Sequence, residues 1–305
     1  MVETPPLWGG VSVFTGRPNT RALDEDGVTA ANRSYHLRVM PRVRCHWALL
    51  ARTRDATARK WPRLHADIVS ENEAFFAGGV APDAIRLFDS FDKRSSHFYD
   101  DQDPDTWSTW SVIDTCLRER PPNLSDLHGS RRSRVWLYGY LAHIMADIAN
   151  WTHILKHLPP FPEERAAHHG VWLLADRLTV SEPDRKLNLE NVPYGDAPPW
   201  VLMAPVSRLL NTLVMHVLPQ TDPWIAEATY VRRNADLRQA EPTDLLASGI
   251  DATVLAIRDR HRFEWEECIK QAEKLVPLSA WVEFERSAIE SAIEVMHLLD
   301  ERIGI

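Results

Sequence analysis

The stretch RVWLYGYLAHIMADIANWTHILKH, residues 134–157, is a long apolar run with helical spacing, and Pro159-Pro160 stops it. Its two central polar residues, His143 and Asp147, are four positions apart, so they share one face of a helix. The residues around them are apolar, so this pair needs a compensating partner inside the core. A metal ion would supply one, because an imidazole nitrogen and a carboxylate oxygen at this spacing can bind the same ion.

The same pair also has a purely structural interpretation. A buried hydrogen bond between His143 and Asp147 would hold the core without a metal, and a short HxxxD motif does not distinguish the two. His153 lies six residues after Asp147 and therefore off that face of an ideal helix. His153 would join the site only by serving a second ion, or if the helix is distorted.

Helical patterns also cover most of the rest of the chain, and the segments between them are rich in Pro, Gly, Asp and Ser. The patterned segments lie at about 43–61, 66–77, 107–118, 162–180, 200–218, 223–239, 242–275 and 278–303. We find no convincing hairpin and no repeat in the sequence. The sequence therefore predicts an all-α fold: a single-domain multi-helix bundle over residues 1–305 with an irregular N-terminal segment, about 1–42.

Charge and cysteine content limit the classes of function. The chain has 43 acidic and 35 basic residues, a net charge of −8 and no basic face in its sequence, so we expect no stable nucleic-acid binding. Its three cysteines lack paired spacing and predict neither a disulfide framework nor a cysteine-type zinc site. We see no signal peptide and no transmembrane segment, which predicts a cytoplasmic location.

Asp83 stands in a second segment that suits a functional site. It follows Gly78-Gly79 and Pro82, which predict a turn within a loop covering residues 80–106. A carboxylate on such a stiff turn would be well placed as a metal ligand or a general base. The alternative is a helix N-cap for a helix that starts at Ala84.

Several histidines lie in further segments of this kind. His97 precedes clustered acids in the predicted loop, which suits the rim of a metal site or simply a solvated acidic loop. His46 opens the first long helix, and His168-His169 lie in the helix after the Pro-rich break. Adjacent histidines cannot both face one ion from a helix, so at most one of that pair would be a ligand.

Taken in order, these segments resemble the bacterial zinc-dependent phospholipase C family and its relatives, the secreted zinc nucleases that act on single strands. The resemblance covers about residues 43–176 and implies an all-α fold that holds a three-zinc cluster in a cleft. Its motifs are His46 at the start of the first helix, Gly78-Gly-Val-Ala-Pro-Asp83, Ser96-His-Phe-Tyr-Asp100, and His143, Asp147 and His153 as HxxxDxxxxxH.

The resemblance also implies which residues would hold the ions. One zinc would be bound by Asp83, His97, His143 and Asp147. A neighbouring zinc would be bound by His46 together with Asp147, which would bridge the two ions. His153 and His168 would belong to the remaining zinc.

Two departures from the family pattern reduce the expected number of ions. The family completes its third site with a Glu four residues after its last His, and Trp172 stands there in this chain, with Asp176 or Glu164 as replacement candidates. The family also uses the free amino terminus of a processed, secreted chain as a ligand. Without a signal peptide that ligand should be missing, and His36 is a speculative replacement. We therefore expect one to three Zn²⁺ ions.

The function that the resemblance implies is metal-dependent hydrolysis of a phosphoester through a metal-activated water. The substrate would be a small-molecule or lipid phosphoester, and Asp83 would hold or deprotonate the water. One alternative is a biosynthetic zinc enzyme on the same scaffold that acts on a non-phosphate small metabolite. Another is a closed, structural zinc site. The sequence leaves the oligomeric state open.

Overall fold

The described part of the chain is almost entirely helical and contains no strand, which confirms the all-α prediction. A computed structural model describes residues 42–85, 96–98, 108–119, 124–159, 164–178, 216–237, 250 and 252–305. In chain order its helices are α1 Val43–Lys60, α2 Pro62–Ser70, α3 Asn72–Ile85, α4 Thr109–Glu119, α5 Leu124–Gly129, α6 Arg131–His153, α7 Arg165–Leu178, α8 Pro223–Leu237, α9 Ala252–Leu275 and α10 Leu278–Ile303.

Helix α6 is the central element of the fold. It begins at Arg131, and the hydroxyl of the preceding N-cap residue Ser130 accepts the Ser133 N–H at 3.1 Å, as expected of a serine N-cap. Every residue from Arg134 to Asp147 is buried, so this stretch is enclosed on all sides. Helices α3 and α10 make its most extensive contacts. Polar side chains on α6 therefore point into the protein interior.

The predicted turn at Gly78-Gly79 is wrong, because α3 continues through both glycines and through Pro82 to Ile85. The glycines serve close packing instead. A Cβ at Gly78 would lie 1.9 Å from the backbone oxygen of Trp136 on α6, and one at Gly79 would lie 2.2 Å from a methyl of Leu50. Asp83 consequently lies in the last helical turn of α3, and is neither part of a loop nor an N-cap. Residues 80–85 of the predicted loop are helical.

One predicted boundary near the start of the chain is confirmed, and the next is wrong. The first helix ends at Lys60, close to its predicted end at about residue 61. Pro62 then begins α2, where a proline suits the first turn because its missing N–H needs no partner there. The single helix predicted over about 66–77 is in fact parts of α2 and α3, separated at Glu71. The predicted irregular segment 1–42 and the predicted helix 200–218 lie outside the described residues, except for residues 42 and 216–218. The single-domain organisation stays a prediction.

The buried apolar side chains form two clusters, and α1 and α6 contribute to both. In α1, Trp47 and Leu50 belong to the cluster shared with α3 and α10, whereas Leu49 belongs to the cluster shared with α7, α8 and α9. The buried apolar residues of α6 up to Met145 belong to the cluster shared with α3 and α10. From Ala146 onward, the buried apolar residues of α6 belong to the cluster shared with α7, α8 and α9. None of the described helices is long and apolar enough to cross a bilayer.

Candidate metal centre

Five side chains from four separate segments meet where the two clusters adjoin. His46 comes from the first turn of α1, and Asp83 from the last turn of α3. His97 belongs to a short helical turn at residues 96–97, and His143 and Asp147 lie one turn apart on α6. The structure thus places these five residues side by side.

The distances between their ligand atoms match those around a shared cation. Asp147 Oδ2 lies 3.2 Å from His97 Nε2, and Asp147 Oδ1 lies 3.4 Å from His46 Nε2. His143 Nε2 is 3.9 Å from Asp147 Oδ2. Ligand atoms about 2.1 Å from one zinc ion would be roughly 3.4 Å apart in a tetrahedral arrangement. Most of these separations are too long for hydrogen bonds and suitable for ligands of one ion or of two adjacent ions.

Asp83 adds a second carboxylate to the group. Its Oδ1 lies 3.9 Å from His97 Nε2 and 4.0 Å from His143 Nε2, while its Oδ2 lies 4.0 Å from His46 Nε2. Each carboxylate thus turns one oxygen toward His46 and the other toward His97 and His143. Two overlapping sets of potential metal ligands result, His46–His143–Asp147 and Asp83–His97–His143, with His143 common to both.

Burial makes an ion at this place physically favourable. The side chain of Asp147 is 0 % exposed and that of His46 is 1 % exposed, whereas Asp83 is 25 % exposed. The Nε2 atoms of His46 and His143 have no hydrogen-bond partner among the described residues. Burying polar atoms in this way is costly unless something compensates them, and a divalent cation bound by imidazoles and carboxylates would do so. The residues present therefore fit zinc.

The histidine rings are held in a state that suits metal binding. His46 and His143 stack with ring centroids 3.6 Å apart and an interplanar angle of 11°. Burial, with a smaller contribution from the neighbouring His46, lowers the pKa of His143 to about 3 against the opposing effect of the two carboxylates. Its Nδ1 lies 2.8 Å from the carbonyl oxygen of Gly79, to which Nδ1–H donates. His143 is thus neutral, with its Nε2 lone pair directed at the carboxylates.

The sequence reasoning missed the groups that orient these rings. Gly79 supplies its carbonyl to His143, and the Ser96 hydroxyl contacts the ring of His97. Tyr140 donates from its hydroxyl to the backbone oxygen of Ser96. Two local signals were available: a serine directly before His97, and a tyrosine three residues before His143 on the same helix face.

The structure does not bring His153 and His168 into this group. His153 is half-buried at the end of α6, near Lys156, Glu283 and Arg286, and burial lowers its pKa. His168 Nε2 lies 2.9 Å from the carbonyl oxygen of Pro159, which it can donate to. Neither histidine belongs to a set of three potential metal ligands within the described ranges.

The surroundings of Trp172 also disfavour a third ion. The guanidinium of Arg42 lies 4.9 Å from the Trp172 ring centroid and pairs with Glu227, so a cationic side chain already occupies this region. Of the replacement candidates, Asp176 accepts the Cys45 N–H at 3.1 Å and Glu164 is exposed. His36 lies outside the described residues. His169, the other histidine considered, pairs with a buried glutamate of α8 instead.

Comparison with known proteins agrees with this geometry. A sequence model described as zinc-dependent phospholipase C matches residues 45–198, a segment that contains all five residues of the cluster. No curated protein and no solved structure gives a significant match. Since the matched segment makes up half of the sequence, the chain belongs to the zinc-dependent phospholipase C family.

Proposed function

We propose that this chain is a zinc-dependent hydrolase that cleaves a phosphoester, with a phospholipid as the first candidate substrate. The observation that carries the proposal is the cluster of three imidazoles and two carboxylates, buried except for Asp83. Family membership supports a lipid phosphoester as substrate. The relation to the single-strand nucleases and the cytoplasmic location remain predictions from the sequence.

The ligand assignment follows the way in which the two carboxylates face the histidines. His97, His143, Asp83 and Asp147 would hold one ion, and His46 would hold a second that Asp147 shares. Bound zinc supplies a Lewis acid for phosphoryl oxygens and lowers the pKa of a water molecule. The described residues support one or two ions in this cluster, and the third position at His153 and His168 stays a prediction.

Asp83 is the residue proposed to handle the proton. Asp147 is completely enclosed, whereas a quarter of the Asp83 side chain is exposed, so a substrate or water approaching from outside meets Asp83 first. Its carboxylate would orient a water molecule and accept a proton from it. The last turn of α3 holds this carboxylate within 4.0 Å of the Nε2 atoms of the three histidines, so the proton acceptor adjoins the proposed ion positions.

Substitution of Asp83 tests this role. Asp83→Asn keeps the size of the side chain and removes the base, so kcat/KM for p-nitrophenyl phosphorylcholine should fall by about 10²–10⁴-fold. Asp114→Asn, at an exposed position of α4, serves as the control and should leave kcat/KM unchanged. Zinc content should be measured for both variants. Turnover by Asp83→Asn within tenfold of the wild type would remove Asp83 from the mechanism.

A substrate panel separates the remaining functions. Phosphatidylcholine micelles, bis-p-nitrophenyl phosphate, p-nitrophenyl phosphate and a single-stranded oligonucleotide should be tested with protein of known metal-to-chain ratio. We expect one or two ions per chain and hydrolysis of the lipid. Cleavage of the oligonucleotide alone would instead assign a nuclease. Silence across the panel with zinc bound would contradict the phosphoester proposal and favour the biosynthetic or the structural interpretation.

A further inference from the structure

His97 is held on both sides of its ring. On one side its Nε2 faces Asp147 Oδ2 at 3.2 Å. On the other side its Nδ1 lies 2.6 Å from the hydroxyl oxygen of Ser96. Both residues are 0 % exposed, so no bulk water competes for this contact. The neighbouring serine therefore determines how the ring is oriented toward the carboxylates.

Tyr140 holds the backbone of the same segment. Its hydroxyl donates to the carbonyl oxygen of Ser96 inside the core. Tyr140 precedes His143 by three residues and Asp147 by seven, so all three project from one face of α6. The helix that supplies two of the proposed ligands thus also holds the segment that supplies His97.

The residue after His97 adopts a conformation that the surrounding contacts must maintain. Phe98 has a φ of 59°, in the left-handed region that is unfavourable for a bulky side chain. It is buried, and its ring centroid lies 5.5 Å from that of Tyr140. Tyr140 therefore contacts the segment at two points, on either side of His97.

We propose that Ser96 and Tyr140 are positioning residues that build the His97 side of the metal centre before an ion binds. The Ser96 hydroxyl accepts a hydrogen bond from Nδ1–H of His97, which leaves the lone pair of that ring on Nε2. Tyr140 fixes the position of the Ser96 backbone next to His97. This inference rests on the metal site of the proposed function. It concerns the affinity for the ion and not the chemistry performed on a substrate.

Zinc affinity of the full chain, measured after chelator treatment by competition with a chromophoric chelator, tests the inference. Ser96→Ala should weaken zinc binding by about 10–100-fold, the usual effect of losing a group that orients a ligand, and Tyr140→Phe should act in the same direction. Tyr138→Phe is the matched control, because Tyr138 is also buried on α6 but donates to Asp300. It should keep wild-type zinc affinity even if its thermal stability falls.

The outcomes separate this inference from the proposed function. A wild-type chain that binds no zinc would overturn both. Wild-type affinity in folded Ser96→Ala and Tyr140→Phe would overturn the positioning role and leave the metal site intact. Should both variants fail to fold, ¹⁵N NMR of the zinc-free wild type decides the matter. We expect a proton on Nδ1 of His97 and none on Nε2, and a proton on Nε2 would contradict the proposal.

Discussion

Asp176 is a buried carboxyl group that the fold uses at the start of a helix. Its Oδ1 accepts the backbone N–H of Cys45 in the first turn of α1, where a negative charge also complements the helix dipole. Burial raises the pKa of Asp176 from 3.8 to about 6, against the opposing effect of Arg42 and Arg44. The charged form is therefore costly at neutral pH although it has a hydrogen-bond donor.

Replacing this carboxyl group should change how stability depends on pH. A group whose pKa is higher in the folded state contributes stability that is fully present below the unfolded pKa and is lost as pH rises through the folded pKa. From pH 4 to pH 7 the free energy of unfolding of Asp176→Asn should thus rise relative to the wild type, by up to about 1.4 kcal/mol per pH unit. Urea denaturation at several pH values measures this, and a constant difference would contradict it.

The proposed ligands differ in how far the sequence alone could reveal them. The four-residue spacing of His143 and Asp147 requires only helix geometry, so their common face could be predicted. His46, Asp83 and His97 come from three other segments, and their meeting depends on tertiary packing that no local pattern encodes. Only the order of motifs in a resemblance to a known family connected them, and their roles as ligands stay predictions.

At the scale of elements, glycines set the distance between α3 and α6. A Gly-Gly pair occurs both in turns and where two helices pack closely, which is why the sequence predicted a turn at 78–79. The helices themselves were predictable from apolar spacing, but the start of α2 was not, because Pro62 can end one helix or begin another. Close packing at Gly78 and Gly139 is a property of the partner helix, which the local sequence does not contain.

Gly139→Ala should force these two helices apart. A Cβ at this position would lie 1.9 Å from the backbone oxygen of Phe75 and 2.8 Å from the backbone nitrogen of Gly79, and backbone cannot move aside cheaply. We expect a loss of stability of about 1–3 kcal/mol, and weaker zinc binding because the Gly79 carbonyl would be displaced from His143.

Thermal and urea denaturation with zinc titration measure both effects of Gly139→Ala. Gly129→Ala at the end of α5 is the control, because a Cβ there meets nothing within 4 Å. It should leave zinc affinity unchanged. Equal behaviour of the two alanine variants would show that close packing at Gly139 is not required.

At the scale of the whole molecule, a buried ion pair joins the start of α1 to α8. Arg42 pairs with Glu227, and its guanidinium lies between the rings of Trp172 and Tyr230. Although burial raises the pKa of Glu227, Arg42 and His169 outweigh it and lower that pKa to about 2. Arg42 is the N-cap residue of α1, whereas Glu227 lies on α8 beyond the family-matched segment, so this contact connects the start of α1 to the C-terminal helices.

Glu227→Gln should destabilise the protein strongly, by about 3–5 kcal/mol, because it leaves the Arg42 charge buried without its counter-ion. Glu290→Gln is the control, since Glu290 pairs with Arg286 on the exposed face of α10, and it should change stability little. Urea denaturation at neutral pH measures both variants. A similar small effect of the two substitutions would show that the Arg42 charge is compensated by other groups.

The enclosure of α6 from Arg134 to Asp147 has a consequence for the lifetime of the metal centre. Amide protons of a helix covered on every side exchange with solvent only when the molecule opens as a whole, whereas those of exposed helix ends exchange through local fraying. We therefore expect slow exchange for the backbone amides of His143 and Asp147. Release of an ion through motion of that helix would need global opening, so rapid loss or uptake must proceed on the Asp83 side.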